Sequence, residues 1–314
     1  MKEIGGYLEL DQLIHNEYHP NAIALNTARN ALVYLVKTKH VSKIYIPYYL
    51  CDSVSNVCER ENIPYDFYHV CEDFTPRFDR TLESGEYLYV VNFFGQLDSE
   101  IISNLKTQYG RIILDNVQAF FAQPIEGIDI IYSCRKFFGV PDGAYLYSNA
   151  DFMDLPTDIS MNRMRHILGR FEGQSASDYF ADFRENDALF DDLPLMYMSK
   201  LTHNLLGAID YGSVISRRND NWKLLHAALG DKNKLCLHTP IGPYMYPFYC
   251  ENGVQVRKAL AEKKIFIPTL WPNVLDFDGC ELEKDYVRNI IPLPVDQRYD
   301  ANDMKKIVEE LKNV

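Results

Sequence analysis

The sequence has no apolar run long enough to cross a membrane. Its longest apolar segments, such as YLYVV (87–91), fall far short of the roughly 20 residues that a membrane-spanning helix needs. The first stretch, MKEIGGYLELDQLIH, carries acidic residues and glycines, whereas an export signal needs a basic start followed by an apolar segment. These absences predict a soluble, cytoplasmic protein with no membrane partner.

Basic residues are scarce relative to acidic ones. The 314 residues include 32 Lys and Arg against 44 Asp and Glu, and the formal net charge is −12. A chain with this charge repels the phosphate backbone of a nucleic acid on average. We therefore expect no nucleic-acid partner, although a local basic pocket for a small anion is compatible with the overall charge.

Cysteine pairs with the spacing of metal or redox motifs are absent. The seven cysteines are spread along the chain without a CxxC motif, so we expect reduced thiols. His15 and His19 stand four residues apart, but Pro20 follows at once and no further ligand is arranged nearby. The sequence predicts no metal site.

The first half of the chain contains short segments rich in β-branched and aromatic residues. They are SKIYIP (42–47), YDFYHV (65–70), EYLYVVNFF (86–94), RIILD (111–115), IDIIYS (128–133) and GAYLYS (143–148). Helical periodicity fills several of the gaps, beginning with an apolar stripe from Ala28 to Val36. Nearly continuous apolar strands that alternate with helices predict an α/β fold, with a mostly parallel sheet covered by helices.

The pattern changes in the second half. Residues 150–205 are dense in acids and predict surface helices and a connector. A helix ending at Gly230, a strand at 244–249, a helix at 253–263, a short strand KIFIPTL (264–270) and a final helix follow. We therefore expect a large α/β domain at 1–209 and a small C-terminal α+β domain at 210–314.

Polar side chains stand where several predicted strands end. Asn92, Asp115 and Ser133 each follow an apolar segment of this kind. In open α/β sheets, ligands bind at the carboxyl ends of the strands. This edge of the sheet is therefore the predicted functional site.

Four segments resemble, in the same order, the motifs of fold-type I pyridoxal-phosphate enzymes, and among these the DegT/StrS family of sugar aminotransferases. They are ALNTARNAL (24–32), VVNFFGQLD (90–98), IILDNVQAFFA (112–122) and YSCRKFFGVPDGAYLYS (132–148). The resemblance covers most of residues 20–150 and, more faintly, the C-terminal KIFIPTLWP and NIIPLPVDQRY segments. It implies the fold-type I architecture and pyridoxal 5'-phosphate as the cofactor, bound by the large domain.

The resemblance also implies roles for individual residues. Lys136 would form the Schiff base with the cofactor and move a proton during catalysis, and Asp115 would keep the ring nitrogen protonated. Gln118 would lie beside the phenolic oxygen of the cofactor. The residues that would bind the phosphate are Thr27, Ala28, Arg29 and Ser133.

Further contacts implied by the resemblance lie outside this set. Tyr48 and Tyr49 stand where a side chain covers the pyridine ring in the family; the sequence leaves the choice open, and Tyr49 is included among the cofactor contacts. The residues that would contact substrate are Asn92, Trp271 and Arg298. Because fold-type I enzymes build their sites across a dimer interface, a homodimer is expected, with Asn204 and Asn221 reaching into the neighbouring subunit.

The function that follows is amino transfer from an amino acid such as glutamate to a keto-sugar nucleotide, with a small-molecule donor and acceptor as the partners. Two alternatives stay open at this stage. The first keeps the cofactor but changes the reaction to elimination or lyase chemistry. The second is a non-catalytic cofactor-binding or regulatory protein of the same fold.

Overall fold

The protein is described from a computed structural model that covers residues 4–173 and 175–313. Those residues form ten strands and ten α-helices. The strands are β1 (Ile23–Leu25), β2 (Lys43–Pro47), β3 (Tyr65–Val70), β4 (Pro76–Arg77), β5 (Glu86–Val91), β6 (Ile112–Asp115), β7 (Asp129–Ser133), β8 (Ala144–Tyr147), β9 (Met245–Tyr249) and β10 (Ile290–Pro294). The helices are α1 (Ala28–Lys39), α2 (Ser53–Arg60), α3 (Ser99–Tyr109), α4 (Arg165–Phe171), α5 (Phe180–Leu189), α6 (Lys200–Gly207), α7 (Tyr211–Leu229), α8 (Gly253–Glu262), α9 (Glu281–Asn289) and α10 (Ala301–Lys312).

Eight strands form one mixed sheet in the order β1-β8-β7-β6-β5-β2-β3-β4. The five central strands β7, β6, β5, β2 and β3 run parallel to their neighbours in this group, while β1, β8 and β4 join by antiparallel pairing. Every residue of β6 and β7 is buried, because parallel strands are covered by helices on both faces. The predicted α/β fold with a mostly parallel sheet is confirmed.

The first helix packs on β7, β8 and β1 of this sheet, and its N-terminus lies at the predicted functional edge. Thr27 caps α1, and its hydroxyl oxygen accepts a hydrogen bond from Asn30 N at 2.9 Å, which satisfies one of the free amides of the first turn. The buried residues of the helix, from Asn30 to Leu35, pack against β7 and β8. None of the helices in the described residues has both the length and the apolar character needed to span a membrane.

The C-terminal part has its own sheet and its own core. Strands β9 and β10 pair antiparallel over five residues each; α7 packs against β9, α8 against β10, and α10 against both of these helices. Trp222 and Met304 are fully buried in a hydrophobic cluster that is separate from the main core. This architecture matches the predicted small α+β unit, while the boundary at residue 209 stays a prediction.

The predicted strand at 264–270 is wrong, because the strand that pairs with β9 is β10. Residues 265–270 have no strand partner, although Ile265 and Ile267 pack on the C-terminal core and Phe266 is 69% exposed. The alternating pattern is therefore real, but β9 takes β10 as its antiparallel partner, so residues 265–270 cover the C-terminal core without joining a ladder. Strand β1 was also missed, since three residues give too short a pattern to read.

Gly143 occupies a backbone conformation that other residues adopt rarely. Its φ is +115°, and a Cβ placed there would stand 3.0 Å from Thr202 Cγ2 and 3.2 Å from Cys134 Sγ. Its backbone N–H donates to Asn26 O at 2.7 Å. The residue therefore fixes the chain between the loop of Lys136 and β8.

We predict that Gly143→Ala lowers the free energy of unfolding by about 2–4 kcal/mol, from backbone strain and overpacking together. Gly110→Ala is the matched control, because Gly110 also has a positive φ, +72°, but no atom lies within 4 Å of its Cβ position. The control isolates the backbone effect and is expected to cost about 1 kcal/mol. Urea denaturation of the two variants measures the difference, and equal losses would contradict the packing argument.

Candidate active site

A cavity of about 550 Å³ opens at the carboxyl ends of the central strands. Nine of the residues singled out from the sequence line it: Thr27, Ala28, Arg29, Asp115, Gln118, Ser133, Lys136, Trp271 and Arg298. These residues come from five separate stretches of the chain. The sheet gathers them because β6 and β7 run parallel and end at the same edge.

Asp115 ends β6 and is 3% exposed. Its Oδ2 accepts a hydrogen bond from the Tyr89 hydroxyl at 2.8 Å, and its Oδ1 accepts one from Val117 N at 2.8 Å. Burial raises the pKa of this carboxyl, while the Val117 amide, the charge of Lys136 and the Tyr89 hydroxyl lower it. A cation bound in the cavity would relieve the cost of burying this carboxylate.

Lys136 stands in the loop that follows β7 and is exposed to the cavity. Its Nζ lies 5.7 Å from the centre of the Tyr244 ring. The loop is fastened one residue further on, where Phe137 O accepts hydrogen bonds from Arg218 Nη2 at 3.3 Å and from Gln297 Nε2 at 2.9 Å. The amine is therefore accessible while the backbone beside it is held in place.

Gln118 uses only one end of its amide in the protein. Its Oε1 accepts a hydrogen bond from Phe94 N at 2.8 Å, and because that amide can only donate, the oxygen must face it. Its Nε2 is buried and has no hydrogen-bond partner among the described residues. Such an orphaned donor in a cavity wall fits an acceptor oxygen on a bound group.

The N-terminus of α1 offers a site for an anion beside these side chains. Thr27, Ala28 and Arg29 line the cavity at the start of a 12-residue helix, where free amides and the helix dipole favour negative charge. Ala28 is the first residue of α1 and has a helical backbone conformation, so the turn that leads into the helix does not require a glycine at this position. Ser133, which ends β7 and is 9% exposed, adds a hydroxyl to the same cavity.

Tyr49 and Asn92 are placed differently from the prediction. Tyr49 is 1% exposed and packs in the core against Phe93 and Trp271, and Tyr48 stacks on Phe67. Neither tyrosine lines the cavity, whose wall on this side consists of residues 50–54. Asn92 is likewise buried, and its amide bonds to Asn116 and to both backbone groups of Leu97. Its polar atoms are used up in holding the turn after β5.

The two asparagines expected to reach a neighbouring subunit have internal roles instead. Asn221 is 1% exposed, and its Nδ2 donates to Val295 O, Asp296 O and Tyr299 O at 3.0–3.3 Å. Asn204 binds the N-terminal segment through Leu13 N and Asp11 O. Both side chains are engaged within their own chain, and their contribution to a neighbouring subunit stays a prediction.

Sequence reasoning missed several cavity residues. Tyr89 lies two residues before Val91, which pairs with Asp115 in the sheet, so the alternation of side chains along a strand was a usable signal. Arg135 lines the cavity as well, with its guanidinium 3.6 Å from the centre of the Phe190 ring and 3.4 Å from Asp187. No sequence pattern linked Arg135 to α5, because that contact is set by tertiary packing.

Trp271 and Arg298 lie in the cavity wall, as the resemblance implied. Arg298 is exposed and pairs with Asp296 at 2.7 Å. Arg29 pairs with Asp191 near the opposite end of the cavity. The wall thus combines cationic side chains with partners that neutralise them, and it leaves Lys136 as an amine without a carboxylate partner among the ion pairs of the described residues.

No protein-family model matches this sequence, and no curated protein matches it. Solved structures do resemble it. A DegT/DnrJ/EryC1/StrS aminotransferase from Brucella abortus matches with 14% identity and a TM-score of 0.64, over 93% of this chain and 85% of the other. The PLP form of the putative sugar aminotransferase Spr1654 from Streptococcus pneumoniae matches with 15% identity and a TM-score of 0.65, over 94% and 86% of the two chains.

A third structure is NtdA from Bacillus subtilis with bound cofactor PMP, with 10% identity and a TM-score of 0.67, over 93% of this chain and 72% of the other. At these identities the likeness is one of fold. The chain therefore has the fold of the fold-type I aminotransferases, as the sequence motifs implied.

We predict that Tyr89→Phe raises the pKa of Asp115, because the lost hydroxyl stabilises the ionised carboxylate. Tyr68→Phe is the matched control: Tyr68 is equally buried, but its hydroxyl donates to Tyr89 O at 2.7 Å and not to the carboxylate. Carboxyl-carbon NMR of the cofactor-free protein measures the titration. An unchanged pKa in Tyr89→Phe would show that the hydroxyl does not act on the carboxylate.

Proposed function

We propose that this protein is a pyridoxal-phosphate-dependent aminotransferase that uses Lys136 as its catalytic amine. The observation that carries the proposal is the cavity itself. It combines an accessible lysine, a buried carboxylate at Asp115 and an unpartnered amide donor at Gln118 with a helix N-terminus. The cofactor presents a matching set of groups, namely an aldehyde, a ring nitrogen, a phenolic oxygen and a phosphate.

When bound, pyridoxal phosphate supplies an aldehyde that reacts with amines and a protonated ring that draws electrons from the neighbouring carbon. The side chains would do the rest. Asp115 would hold the proton on the ring nitrogen, since a buried carboxylate binds a cation strongly. Gln118 Nε2 would donate to the phenolic oxygen, and Thr27, Ser133 and the first amides of α1 would bind the phosphate.

Lys136 would act twice in this scheme. Its Nζ would hold the cofactor through the aldehyde, and as a free amine Lys136 would move a proton from Cα of the amino donor. Such a base must be mobile yet well placed. The exposed amine and the anchored carbonyl of Phe137 meet both requirements.

The proposed substrates are an amino acid such as glutamate as donor and a keto-sugar nucleotide as acceptor. The support for the acceptor is that the solved structures with this fold include several described as sugar aminotransferases. Arg135 and Arg298 in the cavity wall carry N–H groups that can donate hydrogen bonds to anionic groups of either substrate. A cavity open to solvent also leaves room for an acceptor much larger than the donor.

The test of the cofactor assignment is the visible absorbance of the protein after incubation with pyridoxal phosphate and dialysis. We expect a band in the wild type, and borohydride reduction followed by peptide mass spectrometry should locate the cofactor on Lys136. Lys136→Ala and Lys136→Arg should both stay colourless, because the guanidinium keeps the charge but is not a free amine. Lys37→Ala, at an exposed lysine paired with Glu61, is the control that should keep the band. A colourless wild type would overturn the proposal.

A second measurement separates amino transfer from the alternatives. Adding glutamate to the loaded protein should abolish the visible band and release one equivalent of 2-oxoglutarate, and a keto-sugar nucleotide should then restore the band. Release of ammonia and a keto acid in the absence of an acceptor would indicate elimination. A band that no amino donor changes would indicate a cofactor-binding protein without catalysis.

The proposed assembly is a homodimer that covers the apolar surface beside the cavity. Large apolar side chains are exposed along residues 152–189, including Phe152 at 79%, Phe171 at 85% and Phe180 at 58%. Within the same region, Phe183 and Asp187 of α5 line the cavity. Large exposed apolar side chains favour burial against a partner, and a second copy would also close this side of the site.

We predict that the protein sediments as a dimer at micromolar concentration and that the double variant Phe171→Glu and Phe180→Glu shifts it to the monomer, because burying two carboxylates at an interface is costly. Phe266→Glu is the control, at a residue 69% exposed in the C-terminal part, and should leave the dimer intact. Analytical ultracentrifugation distinguishes these outcomes. A monomeric wild type would refute the dimer.

A further inference from the structure

Three side chains with metal-binding groups lie close together beside Tyr48, outside the cavity. They are His69 on β3, Cys280 just before α9 and Glu283 in the first turn of α9, and one potential ligand atom from each lies within 4.8 Å of the other two. None of the three lines the cavity. The cluster is therefore separate from the proposed cofactor site.

The chain brings these groups together from two distant places. Cys280 and Glu283 are three residues apart at the start of α9, so their side chains project on the same side of the helix. His69 lies 214 residues before Glu283, near the end of β3, where α9 packs against that strand. No local spacing motif exists for such a cluster, so sequence patterns alone do not indicate a metal site here.

The surroundings favour a positive charge at this point. Cys280 is 0% exposed and Glu283 1%, and the Glu283 carboxylate accepts hydrogen bonds from His69 Nδ1 at 3.0 Å and Val70 N at 3.1 Å. The Tyr48 ring lies 4.8 Å from the His69 ring, tilted against it, and Phe277 packs edge-on against Tyr48. No Lys or Arg pairs with Glu283 among the ion pairs of the described residues. A buried carboxylate in an apolar setting needs a cation or a proton.

We infer that His69, Cys280 and Glu283 form a site for a divalent transition-metal ion, with zinc the best match to the ligand set. Imidazole nitrogen, thiolate sulfur and carboxylate oxygen are all common zinc ligands. His69 has 40% of its side chain exposed, so an ion can enter from solvent and a water molecule can complete four-coordination. Shifts of about an ångström would bring the three atoms to zinc–ligand distances of about 2.0–2.3 Å.

Charge and proton balance are simple at this site. Zinc would displace the thiol proton of Cys280 to solvent and bind the neutral His69 ring in place of its hydrogen bond to Glu283. The thiolate and the carboxylate together then neutralise the two positive charges of the ion. The metal would hold α9 of the C-terminal part against β3 at the edge region of the main sheet, which is a structural role.

The direct test is metal analysis of the full-length protein. After loading with zinc and extensive dialysis, the wild type should retain about one zinc per chain, and replacement by Co²⁺ should give the near-ultraviolet thiolate-to-cobalt absorption. Cys280→Ala, His69→Gln and Glu283→Gln should each lower zinc affinity at least about 10–100-fold. Removing the metal from the wild type should lower its thermal midpoint, because binding to the folded state alone stabilises it.

Cys58→Ala is the matched control, because Cys58 is also 0% exposed but lies in α2 outside the cluster, and it should retain the metal. Circular dichroism checks that each variant folds. If Cys280→Ala does not fold, Cys280→Ser, which keeps the size of the side chain, decides instead, since only ligation by Cys280 predicts a thiolate-to-cobalt band that this substitution removes. A wild type without stoichiometric metal, or metal unaffected by all three substitutions, would overturn the inference. Cofactor absorbance is independent of either result.

Discussion

The Asp115 carboxylate is held at the end of β6 by the Tyr89 hydroxyl and the Val117 amide, and it is almost completely removed from water. Two hydrogen bonds do not fully compensate the desolvation of a carboxylate, and the raised pKa reflects that deficit. Lys136 supplies part of the missing positive charge from across the cavity. A bound cation directly at the carboxylate would supply the remainder, which is the physical basis for a ring nitrogen at this position.

The geometry around this carboxylate depends on the register of the parallel strands. Val91 pairs with Asp115, and Asp115 pairs with Ile131 two residues before Ser133. Because side chains alternate along a strand, Tyr89 falls on the same face as the residue that pairs with Asp115, and its hydroxyl reaches the carboxylate. A slip of one residue in either pairing would turn these groups to the opposite face of the sheet. Fixing the register is thus the same event as assembling the site.

The main sheet and the residues at its strand ends were predictable because their signals are local. Apolar segments marked six of the eight strands of the sheet, and strand ends marked Asp115 and Ser133. The side-chain positions that local signals do not predict depend on tertiary packing. Tyr49 and Asn92 were assigned by their position along the chain. In the structure the Tyr49 ring packs in the core, and the Asn92 amide bonds to the turn after β5. The position of the Asn221 side chain was likewise not predictable from local sequence, because its three carbonyl partners lie more than 70 residues away in sequence.

Arg218 shows why the position of Lys136 cannot be derived from the large sheet alone. This side chain is 1% exposed, and it donates to Pro243 O, to Gln297 Oε1 and, beside the lysine, to Phe137 O. Burial lowers its pKa to about 10, so the guanidinium stays charged at neutral pH and its hydrogen bonds are of the stronger, charge-assisted kind. Because α7 and residues 243 and 297 belong to the C-terminal part, docking of that part fixes the loop that carries Lys136. The catalytic amine proposed for the sheet edge is therefore positioned from the other side of the molecule.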